Sequence, residues 1–515
     1  MADGAVIRTV AEVMSRPAVT ADAAESVAEA TSRMRDHSVG SVVVVEGDKP
    51  IGILTERDLV RFAAVGGDSE SSSVSEWMTR DPYTLGSAES CVDAFARLSE
   101  HGFRHIPVVD DGILAGVVSM RDLMRVASIE PVSSPGQMEA PKGLAGVIVA
   151  ETEVGDVRGQ EGFYHYRQYS AVDLAEKRSL EDVWYLLFEG TLPDEAQRDA
   201  FLDQVRDQRE LPAAVAEVLP AIARAGSTFV PLDALRTAVS QVGAALDFQP
   251  SLDITQDELK RDALRVCAIT PTLIMALYRL RQGLQPIAPH PDLGYAANYL
   301  YMLDGAVPDP DHARAIEQYQ ITTVDHGFNA STFTARVITS TGADIGAAVV
   351  GAIGALSGPL HGGAPSRALA MLDAIGTPDR TDAWIRNAVE SGDRIMGFGH
   401  RVYKTDDPRS VLLRSVAQRL GGDMADFAMQ VEQTVIDVLA ELKPGRDLYT
   451  NVEFYAGVVM DRCGLPRDLF TPTFASSRVI GWCANILEQA ADNRIIRPSA
   501  KYVGPPPPQP VPDLG

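Results

Sequence analysis

Asp325-His326-Gly327-Phe328-Asn329-Ala330-Ser331-Thr332 opens a series of three short stretches on which the reading of this chain turns; Gly358-Pro359-Leu360-His361-Gly362-Gly363 and Gly397-Phe398-Gly399-His400-Arg401 complete it. Each sets a histidine beside glycine or asparagine, and the chain has only nine histidines. Glycine next to a functional side chain lets another molecule approach the backbone closely. Imidazole with a carboxylate is what proton transfer at neutral pH needs, and Asn451-Val452-Glu453 supplies the carboxylate. Two further arginines, Arg478 and Arg497, follow. A zinc site built from His326, His361, His400 and Glu453 is disfavoured, because intervals of 35, 39 and 53 residues match no compact ligand spacing.

Taken in order, these motifs resemble the citrate synthase family. The resemblance begins near Gly143-Leu144-Ala145-Gly146-Val147-Ile148-Val149-Ala150-Glu151-Thr152 and ends at Arg497-Pro498. It implies a mostly all-α fold over residues 143–503, with a large domain and a small domain at roughly 364–470. It also implies condensation of acetyl-CoA with oxaloacetate, giving citrate and CoA without a cofactor or metal. Residue by residue, Glu453 takes the base position, His361 would stabilise the enol oxygen, and His400 would polarise the ketone. His326, Arg409, Arg478 and Arg497 would bind oxaloacetate, and Arg401 and Lys404 would reach the CoA phosphates. Arg497 would enter the partner's site, so a homodimer with shared active sites, or a larger assembly, is implied.

Two departures from the commoner pattern stand out. Thr323 occupies the place of a first histidine, and Glu453 stands where most members have aspartate. The extra methylene changes the reach of the base, while the intrinsic basicity is nearly the same. Two alternatives stay open at this point. One is 2-methylcitrate synthesis from propionyl-CoA; the other is a nucleotide-binding scaffold with a catalytically weak synthase half.

The first 130 residues repeat at a register of 64: Val10–Arg16 aligns with Val74–Arg80, and Gly52–Leu59 with Gly116–Leu123. Each copy (1–66 and 67–130) reads as helix, two strands and helix, with strands at Val42–Val45, Ile51–Leu54, Ile106–Val109 and Ile113–Val118 and a turn at Gly47-Asp48-Lys49-Pro50. The pattern resembles a tandem of CBS domains, an α/β module whose family binds adenosine nucleotides between the copies. Carried over, Thr55, Asp58, Ser119 and Asp122 would meet phosphate and ribose, and Arg57, Arg104 and Arg121 would pair with phosphate. AMP, ADP or ATP would then be a regulator. The plainer reading is that Thr55 and Ser119 cap helices.

Residues 131–142 read as a linker, and Gly504 to Gly515, with six prolines, as a disordered tail. Helices are expected at Ser179–Phe188, Asp233–Leu246, Asp257–Ile269, Thr270–Arg281 and Asp426–Leu442, with Pro271 suited to a first helical position. A net charge of −24 argues against nucleic acid as a partner. The start of the chain has no basic and apolar leader pattern, and the small-apolar run Ile345 to Leu356 is too short to span a bilayer. The four cysteines form no CxxC pair. A cytoplasmic protein with reduced thiols, and no membrane partner, is the expectation.

Overall fold

The computed structural model describes all residues except 1–8, 38, 92, 95–96, 99–102, 104, 120–121, 124–139, 145, 360, 362–364, 400–402, 404, 444–447, 506, 510 and 512–515. Several residues singled out in the sequence therefore lie outside the described ones: His400, Arg401, Lys404, Arg104, Arg121 and most of the 131–142 linker. The chain divides into two compact units, residues 1–145 with 499–515, and residues 146–498.

In the first unit the repeat is realised as two hairpins. The first copy holds β1 (Thr20–Asp22), α1 (Val27–Asp36), β2 (Ser41–Glu46), β3 (Lys49–Thr55) and α2 (Glu56–Ala64). The second contributes α3 (Val74–Trp77), β4 (Thr79–Arg80), β5 (His105–Asp110) and β6 (Ile113–Ser119). β2 pairs antiparallel with β3, as β5 does with β6, and the register slips at Val44/Val45 and at Val108/Val109, the same place in each copy. The first turn is tighter than expected. Glu46 pairs with Lys49, so only Gly47-Asp48 lie in it, and Pro50 sits in the strand at the bulge, where a missing N–H is tolerated.

The copies exchange their opening segments. Ser15 trades both backbone hydrogen bonds with Val117 of the other copy (2.8 and 3.1 Å), and Thr79 pairs with Ile53. Glycine is needed beneath each crossing: a Cβ on Gly116 would lie 2.8 Å from Met14 Sδ, and one on Gly52 would lie 2.3 Å from Met78 Sδ. Val10 and Met14 are accordingly buried with Leu85, Ile106 and Val108, while Val74 is buried with Ala30, Val42 and Leu54. The sequence boundary at 66/67 thus does not coincide with a boundary between cores.

The second unit opens with a small meander, β7 (Gly155–Arg158), β8 (Phe163–Tyr166) and β9 (Tyr169–Ser170), and is otherwise built of helices. These run α4 (Ala171–Lys177), α5 (Leu180–Glu189), α6 (Glu195–Asp207), α7 (Ala213–Arg224), α8 (Pro231–Ala245), α9 (Gln256–Arg281), α10 (Tyr295–Asp304) and α11 (Pro310–Thr323). Then follow α12 (Ala330–Ser340), α13 (Ile345–Leu356), α14 (Pro365–Ile375), α15 (Thr381–Glu390), α16 (Pro408–Leu420), α17 (Asp423–Leu442), α18 (Val452–Arg462) and α19 (Phe470–Ala491). Local chemistry sets their ends. Ser179 caps α5 by accepting from Asp182 N (3.1 Å), and Gly190 closes that helix with φ at 82°.

One expectation is corrected. The two helices divided at Pro271 are a single helix, α9, running straight through that residue. Proline leaves the carbonyl four residues back without its N–H. Tyr295 Oη, from a helix elsewhere in the chain, donates chiefly to Ser476 O of α19 (2.6 Å) and also lies 3.3 Å from the freed Cys267 O, and Thr270 Oγ1 donates to Val266 O (2.6 Å). Among the described residues α9 is also long and apolar enough to cross a membrane, but 83% of its apolar stretch is buried inside the fold. It packs against α19 to form the centre of the core. Around that pair, α11 touches α16, α18 and α19, and α14 lies on α18. These are the helices that position the site.

Candidate active site

Glu453 lies in the first turn of α18, where Asn451 caps the helix by accepting from Glu453 N (3.1 Å). Asn451 also binds the glycine loop: its amide donates to Gly399 O (3.0 Å), and its backbone N–H donates to Gly397 O (2.9 Å). Gly399 N donates in turn to Tyr449 O (2.7 Å). These bonds zip 397–399 to 449–451 and hold the segment leading to His400 beside Glu453. Gly397 has φ at 86°, and a Cβ there would sit 2.9 Å from Phe454 Cβ, so only glycine fits. Half-buried Glu453 lines a cavity of about 360 Å³ with Asn451, Phe398, Leu448, Arg394 and Lys443. Burial pushes its carboxyl up to about 7, against the pull of Arg409; Asp407 adds to the rise and Arg367 opposes it. A carboxyl so placed can take up and return a proton near neutral pH.

His361 is half-buried after α13, with Nε2 2.8 Å from Ser331 Oγ. Ser331 also accepts from Trp482 Nε1 (3.1 Å) and lies 2.8 Å from Asn329 Oδ1. Burial, and then the positive charge of Arg478, hold the imidazole down to about 4. It is neutral at pH 7. His326 Nε2 lies 2.9 Å from Tyr403 Oη, and its ring centroid is 5.6 Å from that of Tyr164. The loop beneath it is held by Tyr166, whose hydroxyl is 2.8 Å from Ile321 O and 3.1 Å from Asp325 O. Asp325 itself is pushed up to about 6 by burial, although Arg478 pulls the other way.

Arg478 is 2% exposed, stacks on Phe474 at 4.5 Å and donates Nε to Thr323 O (2.7 Å). Arg409 is buried too, forked onto Asp407 through Nε (3.0 Å) and Nη2 (2.8 Å). Asp407 also accepts from Val452 N (3.1 Å), which ties the start of α16 to the start of α18. The charges of Arg409 and Arg478 act on each other, and those of Arg409 and Glu453 do so too. His326, His361, Arg409, Arg478 and Glu453, drawn from five separated stretches, are thus gathered into one region. Arg497 is exposed on the segment after α19.

Motif reading passed over Ser331, Tyr403 and Asp407, which hold His361, His326 and Arg409 in turn. The one sequence signal was Asp407-Pro408, a helix-start pair two residues before Arg409.

In the first unit, Thr55 Oγ1 donates to Asp58 Oδ2 (2.7 Å) and Ser119 Oγ to Asp122 Oδ2 (2.6 Å), and each aspartate also accepts the backbone N–H of its partner (3.0 Å). Both pairs are helix caps. Arg57 is exposed. A cavity of about 260 Å³, lined by Pro17, Ala18, Thr20, Val45, Gly47, Asp48, Leu114 and Ala115, includes none of these residues.

A mostly helical fold that gathers a carboxyl raised toward neutrality, a neutral imidazole and buried guanidinium groups suits an enzyme that moves protons beside an anionic substrate. The family described as citrate synthase, C-terminal domain, matches residues 143–499, and the CBS domain matches residues 10–65 and 74–129. The citrate synthase of Haloferax volcanii is 40% identical over 71% of this chain and 96% of its own length. A 2-methylcitrate synthase of Mycobacterium tuberculosis is 38% identical over 74% of this chain and 95% of its own. The solved structure of citrate synthase from Thermoplasma acidophilum, a ternary complex with carboxymethyl coenzyme A and oxaloacetate, superposes with a TM-score of 0.67 at 29% identity, covering 73% of this chain and 99% of that one. The chain belongs to the citrate synthase family, with a CBS pair ahead of the synthase region, and it is an acyltransferase of the citrate synthase type.

Proposed function

We propose that this enzyme makes citrate from acetyl-CoA and oxaloacetate. Glu453 takes a proton from the acetyl methyl group, and negative charge moves to the thioester oxygen, where a neutral His361 donates a hydrogen bond. The new carbon–carbon bond forms at the ketone carbon of oxaloacetate, and His400 gives its proton to the ketone oxygen. Water then cleaves the citryl thioester, releasing citrate and CoA. The one hydroxyl proton of Ser331 goes to Asn329 Oδ1 (2.8 Å), an oxygen that also accepts from Ser331 N and Thr332 N; turned instead to His361 Nε2 (2.8 Å) when substrate binds, it leaves the ring's own proton on Nδ1, available to the enol oxygen. His326, Arg409 and Arg478 hold the oxaloacetate carboxylates, and forked guanidinium pairs fix its orientation. Arg394 and Lys443, on the cavity that Glu453 lines, add positive charge for an anionic acyl-CoA, together with Arg401 and Lys404.

The observation that carries this reading is the Glu453 carboxyl, half-buried on a cavity, raised toward neutrality by burial and acted on by the charge of the buried Arg409. The exposed Arg497 fits a residue that completes the site of a second copy. We further assign the small domain to roughly 364–470, adenine nucleotide control to the CBS pair, and the cytoplasm as the compartment, consistent with four free, buried cysteines. The second reading is 2-methylcitrate synthesis, favoured by a relative of that name at 38% identity against 40% for a citrate synthase. One methylene in a pocket is worth about 1–3 kcal/mol of discrimination.

The test is release of free CoA by the full-length chain from oxaloacetate with acetyl-CoA or propionyl-CoA, each with and without AMP or ATP. A higher kcat/KM for acetyl-CoA supports citrate, and the reverse order supports 2-methylcitrate. Silence with both overturns the synthase assignment. A rate indifferent to nucleotide overturns the regulatory one.

A further inference from the structure

Tyr319 belongs to no motif, yet it lies on α11, the helix that touches the carriers of Arg409 (α16), Glu453 (α18) and Arg478 (α19). It is 1% exposed, and its hydroxyl has no hydrogen-bond partner among the described residues. A buried hydroxyl without a partner forfeits free energy that folded proteins rarely give up, so it calls for an explanation in terms of function. The charged groups acting on it come from all three neighbouring helices. Glu453 has the strongest effect after burial, followed by Arg478, with Tyr299 of α10 and Arg409 behind. Burial and the Glu453 carboxylate both hold the phenol protonated, so at working pH it is a donor that lacks an acceptor.

Glu453 is an acceptor one methylene longer than the aspartate common in this family. The groups acting on it are Arg409 and Asp407 at the start of α16, Arg367 in the first turn of α14, and Tyr319 of α11. Its backbone is already fixed through Asn451 and Asp407. The end of its side chain therefore needs an anchor of its own. We propose that Tyr319 is a positioning residue for the base: when substrates close the site, its hydroxyl donates to the Glu453 carboxylate and holds the longer side chain in its reactive rotamer. This rests on the assignment of Glu453 as the base.

The experiment compares Tyr319→Phe, Glu453→Asp and the double variant with wild type, each as the full chain. CoA release is followed from pH 5.5 to 9, with an unfolding midpoint for every protein. Wild-type turnover must be present, and lost in Glu453→Gln; failure there rejects the base assignment itself and is separate from the present question. Given that turnover, a donor to a carboxylate favours its charged form. Tyr319→Phe should then shift the acid limb of the kcat profile upward by about one pH unit, lower kcat at pH 7 by about tenfold and leave KM for oxaloacetate unchanged. Its unfolding midpoint should be equal or higher, because an unsatisfied hydroxyl has been removed. In Glu453→Asp the shorter carboxylate does not reach the phenol, so adding Tyr319→Phe should change little further. An unmoved pH profile with fully additive losses would overturn the proposal. So would a raised KM with unchanged kcat, which would place the hydroxyl on substrate instead.

Discussion

At the scale of single residues, the proposed mechanism rests on opposite shifts at two groups. Burial raises Glu453 to about 7 and lowers His361 to about 4, which suits the one to a base and leaves the other a neutral imidazole at the same pH. The base acts only when deprotonated, so kcat/KM should rise with pH through about 7 and level off above it. A limb near the ordinary glutamate value would contradict this. Glu453→Gln should lower kcat by about 10²–10⁴-fold, the usual contribution of a general base. Ser331→Ala removes the partner that fixes the His361 tautomer, and a fall in kcat of about tenfold, with KM for oxaloacetate held, would be expected in steady-state assays. The sequence makes His326, His361 and Glu453 legible because imidazole and carboxylate beside glycine or asparagine are rare enough to notice, whereas Arg409 is legible only through the family resemblance. Ser331, Tyr403 and Asp407 were not legible as site residues. They are common residue types: Ser331 and Tyr403 take their roles from partners 30 and 77 residues away, and Asp407, beside Arg409 in sequence, also binds Val452 N 45 residues on.

At the scale of elements, two carboxylates hold the helix that carries Glu453. Asp407 binds Arg409 and Val452 N, joining the starts of α16 and α18. Glu432 on α17 accepts from Thr450 Oγ1 (2.6 Å) and Tyr455 Oη (2.5 Å), one on each side of Glu453, and pairs with Arg414 at 3.2 Å. Asp407 is 1% exposed and Arg409 is 4% exposed, so Asp407→Ala strands a buried guanidinium; a loss of about 3–5 kcal/mol is expected in denaturant unfolding. A loss below about 1 kcal/mol would mean that the pair is not structural. Helix ends at Ser179 and Gly190 could be read in advance because caps are local chemistry. The continuity of α9 through Pro271 could not, because the burial that holds it, against α19 and with Tyr295 Oη 3.3 Å from the freed Cys267 O, comes from elements beyond the reach of any local pattern.

At the scale of the whole molecule, the repeat is a statement about assembly as well as ancestry. Each copy supplies Met14 or Met78 against the other's strand glycine and closes the other's core, so residues 1–66 alone should be largely unfolded by circular dichroism while residues 1–130 fold. A shared active site makes a sharper forecast. If Arg497 serves the partner's site, Glu453→Gln and Arg497→Ala chains, each inactive alone, should recover about a quarter of wild-type activity when unfolded together and reassembled at random. Half of the dimers would then be mixed, each with one intact site. No recovery would confine Arg497 to its own chain. The periodicity of the first 130 residues reveals two copies, but not their exchange, which depends on contacts 26 residues apart on one side (Ile53 with Thr79) and 102 apart on the other (Ser15 with Val117).

The most direct measurement is of the carbon acid itself. Acetyl-CoA is incubated in D₂O with the enzyme and malate, which fills the dicarboxylate site without offering a ketone, and the methyl signal is followed by NMR. Loss of that signal in the wild type, rising with pH through about 7 and abolished in Glu453→Gln, is the predicted result. Exchange that survives in Glu453→Gln at the wild-type rate would contradict the account.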